Sequence, residues 1–319
     1  MSASFAEALE AGDVAAIRGA AKADLHSHLY FAAPIADVER WLGRAIDRAP
    51  HRMDGLDGMR DYSRQAIGPY MDNWTAFEFT AGAAVRHARS DGVVLLESSF
   101  DIWAVRHHPD GLRGLAAFAA SLAAQFRGQV DFRPEVGFSR SYVAKDDLMT
   151  SLSEAIETGV FRSIDMYAHE DDCKPETVRW IYEKARSHGL KLKAHVGEFG
   201  GADEVKRTVE ILELDEVQHG IGAAESTAVM HWLADHRVRL NVCPTSNVML
   251  GAVADLESHP IRRLYDHGMD VTINTDDLMI FGQSVSDEYL NLYRAGVFTP
   301  EELEEIRLRS LRRQSESLT

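Results

Sequence analysis

The chain has 319 residues, 45% apolar and 26% charged, with 50 acidic against 34 basic side chains and a formal net charge of -16. That composition is ordinarily globular and supports a sizeable core, while the acidic balance without a clustered basic run argues against nucleic acid as a partner. No apolar run approaches the roughly 18 residues of a membrane span, no charged-then-apolar leader opens the chain, and two cysteines are too few for a disulfide framework. The expectation is a soluble protein of a reducing compartment, the cytoplasm.

In chain order, "MSASFAEALEAGDVAAIRGA" reads as an amphipathic helix. "ADLHSHL" (23–29) then reads as a strand, in which His26 and His28, two positions apart, share one face. Residues 34–91 are far longer than a usual crossover and carry aromatic and Met-rich pieces such as "IGPYMDNWTAFEF". They fit either a lid or pocket wall at the barrel mouth or an excursion that packs its own apolar residues. Further short apolar runs follow at 92–100, 130–138, 162–168, 191–198, 216–222, 239–247 and 270–277.

The segments between them have helical spacing. "PETVRWIYEKARSHG" has a Pro start and a Gly stop, and "STAVMHWLADH" opens on Ser226 as an N-cap. Eight βα alternations predict an α/β chain of (β/α)8 barrel type, because eight strands close without edges. The whole chain, 1–319, reads as a single domain with one long insertion after the first strand, short additional helices and a polar tail, "RRQSESLT". An open doubly wound sheet is the alternative, but no GxGxxG follows the first strand.

The unusual side chains fall at the C-terminal ends of these strands, the face on which barrel enzymes place their active sites. His26 and His28 end the first strand, His195 the fifth, His219 the sixth, and Asp276 and Asp277 the eighth, with Glu198 three residues beyond His195. Singly, each has an ordinary explanation: a hydrogen-bonded strand histidine, or an Asp pair in a turn or N-cap. Jointly, they would bury charged and polar groups unpaired, at several kcal/mol each. A divalent cation removes that cost. Imidazoles with a carboxylate suit Zn²⁺ first, with Fe²⁺, Co²⁺ or Mn²⁺ as alternatives, and a position left for water would bring that water's pKa toward ~7.

The motifs "HSH" (26–28), "HVGE" (195–198), "HG" (219–220), "CPTSN" (243–247) and "NTDD" (274–277) together resemble the adenosine deaminase-like branch of the amidohydrolase superfamily. The resemblance spans about 250 residues in the family's order. It implies one zinc ion held by His26, His28, His195 and Asp276, and hydrolytic deamination of a small aminated heterocycle with release of ammonia. It also implies that Glu198 protonates the ring nitrogen beside the reacting carbon, that His219 activates and orients water, and that Asp277 hydrogen-bonds water or base. Tyr30, Ala168, Gly197 and Asp277 are the substrate contacts it suggests.

The departures concern the substrate. Tyr30 and Phe31 replace the Asp-Gly that follows HxHL in purine nucleoside deaminases, where the Asp helps bind the sugar. Ala168, in "YAHE", replaces a Gly whose N–H approaches the purine N3. Ser99 stands for an Arg, and Leu278 for a Pro. The expected substrate is therefore a purine-like aminated ring other than plain adenosine, with adenosine in a repacked pocket or a pterin as alternatives. A binuclear site is disfavoured because "RSIDMYA" lacks the bridging lysine. A zinc site of H-x-E plus P-C-x-x-C type cannot form from two distant cysteines. A non-catalytic sensor would be expected to have lost one of Glu198, His219 or Asp276, and the chain keeps all of them.

Overall fold

A computed structural model describes residues 4–312. Eight strands, β1 (Lys22–Asp24), β2 (Val93–Asp101), β3 (Asp131–Ser139), β4 (Ser163–Tyr167), β5 (Lys191–Val196), β6 (Glu216–His219), β7 (Arg239–Val242) and β8 (Asp270–Ile273), lie side by side in chain order. Every neighbouring pair is parallel. Past the end of β8 the ring returns to the first strand: Ser27 bridges Asp276, the Asp276 N–H donates to the His26 carbonyl, and the Leu25 N–H donates to Asn274 Oδ1 at 2.8 Å. Helices fill the crossovers, so the fold is the expected (β/α)8 barrel. Among the described residues, no helix is long and apolar enough to cross a membrane.

All eight strands lie inside or within a residue of the spans read from the sequence, but several are shorter. β1 stops at Asp24, so His26 and His28 belong to an extended link held by the isolated bridges Ser27–Asp276 and His28–Ser99 rather than to the strand proper. β7 stops at Val242, and Pro244 starts a helix, Pro244–Met249, so "PTSN" is helical and not strand. The N-terminal segment forms two helices, Phe5–Ala11 and Val14–Gly19, because Gly12 adopts a left-handed φ of 62° between them. Ser226 caps Thr227–Asp235 as expected, accepting from the Val229 N–H. The tail from residue 313 onward lies outside the described residues.

Successive strand residues alternate between barrel interior and helix layer. Beneath the strand ends the interior is ionic. Lys193 Nζ, fully buried, lies 2.6 Å from Glu97 and 2.9 Å from Glu135, and Lys191 reaches Glu97 at 3.1 Å and Glu216 at 2.9 Å. Lys193 precedes His195 by two on β5, so this layer sits directly under the histidine. Removing one partner from such a set costs about 3–5 kcal/mol, because a buried charge is left uncompensated.

The 34–91 insertion packs an apolar cluster of its own and also contributes to a pocket wall. Helices Ile35–Leu42, Gly55–Tyr62 and Gly68–Met71, with a π-helical turn at Ser63–Ile67, gather Val38, Ile46, Met53, Ile67 and Met71 into an apolar cluster with Leu250 and Met279–Phe281. The same segment places Leu56, Met59, Arg60, Asp72 and Phe77 in the wall of a cavity at the barrel mouth. Its last helix, Trp74–Ser90, belongs to the barrel layer, where Phe77, Ala81, Ala84 and Val85 join the main core.

Candidate active site

Three imidazoles converge above the ionic layer. His26 Nε2 and His195 Nε2 are 3.0 Å apart, and His28 Nε2 is 3.3 Å from His195 Nε2. Asp276 Oδ1 faces His28 Nε2 at 3.5 Å and His26 Nε2 at 3.7 Å, while its other oxygen accepts from Ser246 Oγ at 2.7 Å. One ligand atom from each of these four residues lies within 4.8 Å of all the others.

The outward faces of the rings fix their protons. His26 Nδ1 donates to the Asn241 carbonyl at 3.0 Å, and His195 Nδ1 donates to Asp165 at 3.1 Å. Burial, reinforced by the neighbouring imidazoles, holds the pKa of both rings well below the usual histidine value. Both are therefore neutral, with bare lone pairs on Nε2 aimed at each other. Two lone pairs 3.0 Å apart repel unless a cation lies between them, and neutral imidazoles with outer hydrogen bonds are the form that binds metal. The four residues fit a divalent ion.

A second grouping, His26, His219 and Cys243, is also close enough to share an ion. The His26 nitrogen next to Cys243 Sγ, Nδ1 at 3.3 Å, already carries the hydrogen given to Asn241. Burial also pushes the Cys243 thiol well above its ordinary range, away from the thiolate a metal needs. The three-histidine, one-aspartate set is the chemically competent one.

Glu198, His219 and Asp277 adjoin it. Burial, with the Asp276 and Glu170 carboxylates adding to it, pushes Glu198 well above the carboxylate range and favours its neutral, proton-bearing form. His219 Nε2 lies 3.6 Å from Glu198 and 3.8 Å from Asp276. Asp277 opens the short helix Leu278–Phe281, yet its side chain makes no capping hydrogen bond. Its Oδ1 is buried without a partner, and burial raises its carboxyl to about 8. The ordinary N-cap reading of the Asp pair therefore does not hold: a buried acceptor faces a cavity and lacks a donor.

Three non-glycine residues at this mouth adopt left-handed backbone, Ala168 (φ 78°), His219 (φ 63°) and Asp276 (φ 56°). Each such conformation costs of order 1–3 kcal/mol, and such strain gathers where function needs a fixed side-chain direction. His28, Tyr30, Phe31, Ser99, Tyr167, Ala168, His195, Glu198, His219, Asp276 and Asp277 all line one cavity of about 550 Å³, inside the usual range for small-ligand sites. Gly197 is the exception among the expected contacts. Its N–H is committed to Glu170 Oε2 at 2.8 Å, and it is not among the residues lining the cavity. The position needs glycine for a left-handed φ of 74°, and a Cβ there would lie 2.2 Å from Val205.

Several residues that build the site escaped the sequence reading. Glu170 accepts the N–H groups of Gly197, Glu198, Phe199 and Gly200 at 2.8–3.2 Å and so shapes the loop carrying Glu198. Arg140, buried, donates to the carbonyls of Ala168 and His195 and ties β4 to β5. Asp165 had a legible signal, a charged residue in the apolar strand "SIDMY". Asn247 lies in "CPTSN", where the sequence alone assigns it no role.

Fold and site together define a metal-dependent barrel hydrolase of the amidohydrolase kind. The family model described as adenosine deaminase matches residues 139–315. A protein of Treponema pallidum named for adenosine/adenine deaminase activity is 36% identical over 287 residues, covering 88% of this chain and 94% of its own. The chain belongs to the adenosine deaminase family, which comprises hydrolytic deaminases acting on C–N bonds. Among solved structures, an adenine deaminase from Arthrobacter aurescens shares the fold with a TM-score of 0.78 at 24% identity, over 91% of this chain and 92% of that one. A zinc-bound amidohydrolase from Burkholderia ambifaria does so with 0.75 at 21% identity, over 92% and 85%.

Proposed function

We propose that this protein removes an exocyclic amine from a purine-like heterocycle by hydrolysis, releasing ammonia, with one divalent cation, zinc by preference, held by His26, His28, His195 and Asp276. The observation that carries the reading is the meeting of three imidazole Nε2 atoms, those of His26 and His195 on neutral rings, and a carboxylate beside a glutamate whose neutral form burial favours. A cation bound there supplies the Lewis acidity that ionises water near neutral pH.

The chain's own groups do the rest. Glu198 gives its proton to the ring nitrogen beside the reacting carbon. Addition then needs no anionic ring, which matters because breaking aromaticity is the costly step. Asp277, with its unpartnered oxygen, accepts a hydrogen bond from the substrate's ring edge or the attacking water. His219 orients that water. The cavity's aromatic and apolar wall, Tyr30, Phe31, Leu56, Met59 and Phe77, stacks the ring and keeps bulk water out.

The substrate we favour is an aminopurine other than plain adenosine. Tyr30 packs edge-on to Phe31 at 4.7 Å and stacks on Phe77, so the 30–31 positions form an aromatic wall, without the Asp-Gly that serves a sugar in nucleoside deaminases. Ala168 adds a methyl group to the same wall. Residues 1–319 act as one unit in this reading, because the insertion core is completed by Leu250 and Met279–Phe281 from later in the chain. Two buried free thiols, Cys173 and Cys243, suit the reducing cytoplasm.

The test is ammonia release from a panel of adenine, adenosine, N6-substituted aminopurines and aminopterins, with metal content measured on the same sample. Turnover of an aminopurine by metal-replete protein, with adenosine the poorer substrate, is expected. Adenosine turnover at or above about 10⁶ M⁻¹s⁻¹ in kcat/KM would overturn the substrate assignment, and metal-replete protein inert to the whole panel would overturn the activity.

A further inference from the structure

Glu198 and His219 share one buried partner, Asn247. Its Nδ2 lies 3.0 Å from Glu198 Oε1 and 3.1 Å from His219 Nδ1, and its Oδ1 lies 3.3 Å from His259 Nε2. His259 in turn receives the Ile261 N–H on Nδ1 at 3.1 Å. All four side chains are at least nine-tenths buried.

Donor and acceptor are fixed at every link. The Ile261 N–H makes His259 Nδ1 an acceptor, so a neutral His259 carries its single ring proton on Nε2 and donates it to Asn247 Oδ1. Burial keeps His259 neutral. That bond sets the amide, whose two hydrogens then go to Glu198 Oε1 and His219 Nδ1. His219, accepting on Nδ1, must carry its own proton on Nε2, the nitrogen that faces the metal ligands.

We infer that Asn247 and His259 are positioning residues: they lock His219 in the Nε2–H tautomer, so that it presents a donor rather than a lone pair to the cavity, and they hold Glu198 toward the substrate. What the donor acts on rests on the deaminase reading; the lock itself does not. Without the chain, His219 Nδ1 could take the proton, and its Nε2 lone pair would then face the carboxylates of Glu198 and Asp276.

The experiment is a multiple-bond ¹H–¹⁵N spectrum of the zinc-loaded protein with ¹⁵N-labelled histidine, alongside kinetics and zinc analysis. Wild type should show His219 bare on Nδ1 and protonated on Nε2. Asn247→Asp replaces the donor by an acceptor. It should move the proton to Nδ1 and lower kcat about 100-fold, the lower end of a positioned proton-transfer contribution, with zinc content retained and KM changed less than about threefold. His259→Gln can still donate to Asn247 Oδ1 and should keep the tautomer and most of the rate, whereas His259→Leu should lose both. His219 protonated on Nδ1 in wild type, or Asn247→Asp leaving tautomer and kcat unchanged, or His259→Leu matching His259→Gln, would each overturn the inference. Wild type with the expected tautomer but no turnover of any aminated ring would leave the lock standing and refute the deaminase reading.

Discussion

Asp165→Ala removes a carboxylate that is hydrogen-bonded to the candidate metal site through His195. In the native structure Asp165, fully buried on β4, accepts from His195 Nδ1 at 3.1 Å, which leaves the Nε2 lone pair pointing at His26 and His28. Deleting it frees the ring to exchange tautomers, and the wrong one buries an N–H among ligands. The ring cannot swing far, because Arg140 holds the His195 carbonyl and Tyr167 packs edge-on at 5.9 Å between centroids. The loss should therefore be that of an outer-shell partner, about 10–100-fold in zinc affinity, or roughly 1.4–2.8 kcal/mol at 1.4 kcal/mol per tenfold. A competition titration against a chromophoric chelator reads this directly. Asp165→Asn should lose at least as much, since its amide can donate into Nδ1 and stabilise the wrong tautomer. Affinity within about twofold of wild type in both variants, well short of an outer-shell effect, would refute the orienting role.

Other variants probe separate parts of the site. Glu198→Gln should keep its metal while kcat falls roughly 10²–10⁴-fold, the range for losing a general acid; an emptied site in metal analysis would mean that Glu198 is a ligand. Ala168→Gly should relieve a left-handed alanine and stabilise the fold by up to about 1 kcal/mol in thermal melts, and should improve kcat/KM for bulkier aminopurines by widening the wall. A destabilised Ala168→Gly would contradict the strain. Burial pushes the Glu288 carboxyl from its ordinary 4.5 up to about 8, with the Thr245 N–H at 3.3 Å from both oxygens. The native state thus retains a proton the unfolded chain releases, and the stability this supports is complete below about 4.5 and lost as pH rises through 8. Glu288→Gln should match wild type near pH 5 and melt several degrees higher near pH 9; equal melting temperatures at both would refute the assignment.

The fold was legible because each βα unit carries its own punctuation: an apolar run, a Pro or Ser start, a Gly stop. Strand ends were less so. His26 and His28 read as strand because alternation continues past Asp24, while the ladder does not, and Pro244 turns "PTSN" into helix where composition suggested strand. The convergence of the candidate metal set was legible, since histidines and aspartates at strand ends have only one place to meet. The supporting shell was not. Glu170, Arg140 and His259 act through backbone groups or a partner's amide, and nothing in "YAHE", "FSRSY" or "SHPIRR" reports which atoms they reach. Gly197 is opaque for a related reason: nothing in "HVGE" reports that its N–H goes to Glu170 or that a Cβ there would meet Val205.

The central claim is one cation on three imidazole nitrogens and one carboxylate oxygen. X-ray absorption at the zinc edge of zinc-loaded protein tests it most directly. The account predicts a single ion with only nitrogen and oxygen neighbours at ~2.0–2.2 Å, imidazole outer-shell scattering and no second metal. A sulfur neighbour near ~2.3 Å, which Cys243 would supply, or a metal–metal vector at ~3.5–4 Å, would contradict it.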